Sequence, residues 1–165
     1  FKSWGSSQEE TLDRYAHRIN EVIKDVSGDV TFTMHTCRGN REGLWAAKGG
    51  YDPVADALFN QIDVDGYFLE YDTPRAGTFE PLKFLPDHKI AVLGLVSSKS
   101  QELEEVDALR HLVDEAAKFT PLENLAIGPQ CGFASSIMGN PITEDVQKAK
   151  LACLVECAEA IWGEV

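Results

Sequence analysis

Four short apolar runs alternate with stretches of helical periodicity, and this rhythm constrains the chain more than any other feature. Residues 30–37, 66–70 (GYFLE), 89–96 and 125–128 read as strands. The run Ile-Ala-Val-Leu-Gly-Leu-Val at 90–96 is apolar throughout, as expected of a parallel strand covered by other elements. Ahead of the first strand, Ser7 and Glu10 form a capping-box pair, Leu12, Ala16, Ile19 and Ile23 share one helical face, and Gly28 is placed to end that helix. Short helices are expected at 41–47 and 53–61, then a long loop punctuated by Pro74, Gly77, Pro81 and Pro86. Residues 102–119 repeat apolar side chains at Leu103, Val106, Leu109, Leu112, Val113 and Ala116, and 143–162 forms a closing helix capped by Thr143. The pattern predicts an α/β fold: four parallel strands in chain order, helices on one face, and a single domain over 1–165.

At 165 residues and 44% apolar, the chain can bury one modest core. A formal net charge of −12 argues against nucleic acid or an anionic membrane surface as partner. No apolar run approaches the roughly 18 residues of a membrane helix. Phe1 is not an initiator methionine, so the chain is expected to start after processing or inside something longer. Cysteines in a cytoplasmic protein stay reduced, for metal, catalysis or packing. Cys153 and Cys157 lie one helical turn apart among apolar residues and read as core. Phe133, Tyr71 and Trp45 could line a pocket, but aromatics beside strands are more often core.

Metal-competent residues gather where the strands end. His35 and Cys37 end the first strand, Glu70 ends the second, and Cys131 follows the fourth in Gly-Pro-Gln-Cys-Gly. Functional residues of parallel α/β folds collect at this carboxyl edge. Strand side chains alternate, so positions 35 and 37 point to one side and can give one metal two ligands. One nitrogen, two sulfurs and one carboxylate oxygen make a tetrahedral zinc set. With two thiolates such a site suits activating a further thiol better than polarising water. Each residue also has an ordinary reading, as core or as a solvated loop group.

Met-His-Thr-Cys-Arg-Gly-Asn (34–40), Gly-Gly-Tyr-Asp-Pro-Val-Ala (49–55), Phe-Leu-Glu-Tyr-Asp (68–72) and Gly-Pro-Gln-Cys-Gly-Phe-Ala-Ser (128–135) resemble cobalamin-independent methionine synthases, in particular their shorter relatives without a duplicated N-terminal barrel. The resemblance covers about 29–162. It implies a (β/α)8 TIM barrel of which four βα units are the second half, with zinc held by His35, Cys37, Glu70 and Cys131. It also implies small-molecule substrates, N5-methyltetrahydrofolate as methyl donor and homocysteine as acceptor, giving methionine. Homocysteine-binding residues of the family lie upstream of the segment matched here. Where the family carries an acidic histidine after the third of these strands, this chain has Lys99, which could bind an anionic substrate, help protonate the leaving nitrogen, or be a solvated lysine. A relative using another thiol or a corrinoid donor stays open, as does an inert zinc-binding half barrel. A lone half would expose strand edges and is expected to form a homo-oligomer or to belong with a missing N-terminal half.

Overall fold

The computed structural model describes Gly5, residues 7–26 and residues 28–163. Its elements in chain order are α1 (Gln8–Ile23), β1 (Thr33–Thr36), α2 (Ala55–Gln61), β2 (Gly66–Glu70), β3 (Ile90–Val96), α3 (Val106–Ala116), β4 (Leu125–Pro129) and α4 (Glu144–Trp162). The four strands form one parallel sheet in the order β1-β2-β3-β4, as the βα rhythm predicts. Among the described residues, no helix is long and apolar enough to cross a membrane.

Register divides the sheet into two unlike faces. Met34, Tyr67, Ala91 and Leu125 align across the strands, and Thr36, Leu69, Leu93 and Ile127 form the next row on that face. These rows merge with Phe59 of α2, Leu109, Val113 and Ala116 of α3, and Leu154 and Cys157 of α4 in one apolar cluster. Burying a Leu or Phe there contributes about 1.5–3 kcal/mol, so this face anchors the helices. The opposite face carries His35, Phe68, Val92 and Ala126 in one row; Phe68 is 40% exposed and neighbouring Ile90 38%. Helices on one face only separate this sheet from a doubly wound one.

Several boundaries differ from the sequence expectation, each for a local reason. β1 spans four residues, not eight: Phe32 N–H donates to the Asp65 carboxylate at 2.7 Å, and Val30 is exposed. α1 ends at Ile23 with Lys24 as its cap, ahead of Gly28. Residues 41–47 are not helical, because Glu42 and Gly43 both take positive φ (54° and 81°) in a tight turn that pairs Arg41 with Leu44. α3 begins at Val106 rather than at 102. Glu104 is drawn away from the helix, accepting from Ser97 N–H at 2.9 Å and from buried Lys150 at 2.9 Å. The capping box at Ser7 and Glu10 and the Thr143 cap are both present.

Gly94 sets the path of the last strand. A Cβ there would lie 2.6 Å from Leu69 O and 2.9 Å from Gln130 Cα, both main-chain atoms of the adjoining segments. The β3–β4 register shifts at this point, and Gln130 N–H donates to Val96 O at 2.8 Å. A side chain at 94 would push Gln130 and Cys131 off the sheet edge. Gly94→Ala should cost about 1–3 kcal/mol by overpacking and lower Tm by several degrees in calorimetry. An unchanged Tm would mean that the flanking segments yield freely.

Candidate metal centre

His35 is the third residue of β1 and Cys37 lies one past its end, so both project from the helix-free face. Cys131 arrives through the irregularity beyond Gly94. Its Sγ lies 3.4 Å from His35 Nε2, and the donor atoms of His35, Cys37 and Cys131 all fall within 4.8 Å of one another. All four cysteines are free thiols. Cys131 is buried, whereas His35 and Cys37 are open to solvent.

This trio fits a zinc ion on its donor chemistry. Burial first, and then the neighbouring Cys37 thiol, push the Cys131 thiol up to about 12, with Lys99 and Asn40 opposing them. A thiol raised so far binds as thiolate only where a cation offsets its charge. A soft divalent ion bound by one imidazole and two sulfurs does that, and leaves coordination positions open.

Glu70 sits beside the trio rather than within it. Its carboxylate is fully buried. Oε2 accepts Arg38 N–H at 2.5 Å, and Oε1 accepts from the Arg75 guanidinium and from Lys99 Nζ at 3.3 Å. Burial disfavours its charge, but the hydrogen bonds from Arg75 and Arg38 N–H, with the charges of Lys99 and Arg75, outweigh burial and hold the carboxyl below its usual range. Lys99 also lies 3.4 Å from Asp72, whose side chain is buried and whose other oxygen is 3.6 Å from Arg75. The structure thus brings His35, Cys37 and Cys131 together and sets Glu70 and Lys99 in an ion-pair network alongside.

Sequence reasoning missed the groups that hold this arrangement. Arg38 donates to Gly49 O, Glu70 O and Ala76 O while lying over the Tyr51 ring, so one side chain binds the β1 loop to the β2 loop. Tyr51 Oη accepts Glu70 N–H at 2.9 Å. Gln130 and Asn40 reach the Cys131 sulfur, and Ser98 joins these two amides. Arg38, Asn40 and Gln130 lie inside the motifs at 34–40 and 128–135, which was the available signal; Arg75 had none beyond its nearness to Glu70. Tyr71 is core and Phe133 partly buried, but Trp45 is half exposed, with the Arg75 guanidinium 5.1 Å from its ring centre. A cleft of about 730 Å³ opens beside the network, lined by Trp45, Asp72, Arg75, Ser97, Lys99 and Glu104 among others. That volume suits a small organic ligand.

Arg75→Met would leave two buried carboxylates sharing Lys99. A loss of about 3 kcal/mol is expected for breaking a buried pair, read as a Tm decrease of roughly 6–12 °C. A Tm within a degree of the parent would show that the network relaxes into water.

No family model matches the chain. The Bacillus subtilis (strain 168) proteins YxjG and YxjH, both uncharacterized, are 44% identical to it over 162 residues and 45% identical over 149. The matches cover 98% and 90% of this chain but 43% and 40% of those proteins, so the chain spans about two fifths of the length of these curated relatives. A Listeria monocytogenes protein provisionally assigned as a vitamin-B12 independent methionine synthase superposes with a TM-score of 0.73 at 35% identity, over 97% of this chain and 44% of its own. The B12-independent methionine synthase of Shewanella sp. W3-18-1, solved in complex with selenomethionine, superposes with a TM-score of 0.69 at 18% identity, over 91% and 46%. At that identity the second likeness is one of fold. The chain therefore shares its parallel α/β architecture with both solved structures.

Proposed function

We propose that the chain is the metal-bearing part of a B12-independent methionine synthase, transferring a methyl group from N5-methyltetrahydrofolate to the thiol of homocysteine. The observation that carries this reading is the convergence of His35, Cys37 and Cys131 at the carboxyl edge of a sheet shared with the Listeria structure. Residues 1–165 would form one domain, its four βα units being half of a (β/α)8 barrel with Phe68 and Ile90 facing the barrel interior. The half-exposed apolar face and the roughly doubled length of the solved neighbours support that view.

Zinc held there would supply a Lewis acid able to keep a substrate thiol in its reactive anionic form at neutral pH. His35, Cys37 and Cys131 are its proposed ligands, with Glu70 as a fourth that comes and goes. The present partners of Glu70 support this: Arg75, Lys99 and Arg38 N–H give the carboxylate a satisfied resting place, so leaving the metal strands no buried charge. Asp72 and Ser97 orient Lys99 beside the cleft, since Ser97 Oγ donates to Asp72 at 2.9 Å and Lys99 contacts the same oxygen. Lys99 is the proposed proton donor to the departing nitrogen.

The test is methionine formation from homocysteine and N5-methyltetrahydrofolate by the zinc-loaded protein with both barrel halves present. Cys131→Ser should lose zinc and turnover together, whereas Lys99→Ala should keep zinc and lose about 10²-fold or more in kcat. Methionine made only from a methyl-corrinoid would replace the donor. A zinc-loaded protein inactive with every donor would reduce the chain to a zinc-binding module.

A further inference from the structure

The two sulfurs of the metal centre are not equivalent. Cys37 is exposed, and its Sγ accepts a loop contact from Gly39 N–H at 3.4 Å and meets the Cys131 thiol. Cys131 is buried, and Gln130 Nε2 donates to its Sγ at 2.7 Å. Gln130 has 1% of its surface exposed, so no water competes for that bond. Its other end is held by Ser98, fully buried, whose hydroxyl donates to Gln130 Oε1 at 3.1 Å. That hydroxyl in turn accepts from Asn40 Nδ2 at 3.0 Å. A serine carries one hydroxyl proton. While Asn40 donates to Ser98, the Ser98 proton is free to turn to Gln130 Oε1, which leaves the Gln130 amino group facing sulfur. The order therefore runs from the β1 loop through the β3 loop to the β4 loop.

We propose that Asn40, Ser98 and Gln130 form a directed hydrogen-bond relay that makes Cys131 the anchored sulfur of the centre and leaves Cys37 the more electron-rich one. The inference rests on the zinc reading and deepens it. A hydrogen bond to a thiolate withdraws charge from that sulfur and fixes its direction, as outer partners of metal ligands generally do. Gln130 is a positioning residue that touches the ligand, and Ser98 acts through it. The relay also couples the two ligand-bearing loops, because Asn40 stands three residues after Cys37.

Zinc affinity is measured by competition with a chromophoric chelator, and the sulfur-to-metal charge-transfer band is recorded on the cobalt(II)-loaded protein. Gln130→Met keeps length and removes the donor. It should weaken zinc binding about 10- to 100-fold and move the cobalt band to lower energy. Ser98→Ala should act in the same direction but more weakly. The double variant should lose less than the product of the two single losses, because part of the effect of Ser98 reaches sulfur through Gln130. Apoprotein Tm is read in parallel, and if Gln130→Met does not fold, the band shift of Ser98→Ala decides. A parent that binds zinc while the variants keep its affinity and band removes the relay alone, as does a double variant whose losses multiply. A parent that takes up no zinc removes the relay and the zinc reading together.

Discussion

The carboxylate of Glu70 has no access to water, so its charge must be met by protein groups. Those groups come from three different loops. Arg38 N–H follows β1, Arg75 follows β2 and Lys99 follows β3. One buried charge at the end of β2 therefore gathers three strand ends around it. The position of Cys37 depends on this gathering, because the next residue along is the one whose main chain is held. The tie is electrostatic, yet it is well satisfied: Arg75, Lys99 and Arg38 N–H all donate to the carboxylate, and the neighbouring Asp72 balances the second cation. Such a cluster holds only when complete, which is why its removal piece by piece is costly.

The sheet beneath supplies the second constraint. Period-two alternation sends Met34, Tyr67, Leu69, Ala91 and Leu93 into the helices and sends His35, Phe68 and Glu70 to the other side. The same alternation that builds the core thus delivers the metal-competent residues to the face the helices leave open. Cys131 is the exception, since it lies beyond its strand and needs the irregularity at Gly94 to reach His35. Core and site are joined at that glycine, where three main-chain segments approach too closely for any side chain.

Much of this was legible in the sequence, and the reasons differ by element. β2 could be read to the residue because GYFLE is bounded by Gly66 and by the charged Glu70, and β3 to within one residue because its apolar run is unbroken. The start of α3 could not, since Glu104 has ordinary helix propensity and only Ser97 and Lys150, distant in sequence, pull it out of the helix. The loop 41–47 resisted for a similar reason: Glu42 at positive φ has no local signal and follows from the tight turn as a whole. In the site, His35, Cys37 and Cys131 announced themselves by residue type and edge position. Their supports did not. Arginines and amides are common at loop ends, and what distinguishes Arg38, Ser98 and Gln130 is partners 30 or so residues away, or a buried amide against sulfur, which no spacing reveals.

The central claim is that His35, Cys37 and Cys131 hold one zinc with room for a substrate sulfur. Zinc-edge X-ray absorption on the zinc-loaded protein tests it most directly. The account predicts two sulfur neighbours at about 2.3 Å with nitrogen and oxygen at about 2.0–2.2 Å, rising to three sulfurs when homocysteine is added. A sulfur count that stays at two with saturating homocysteine, or zinc surrounded only by nitrogen and oxygen, would contradict it.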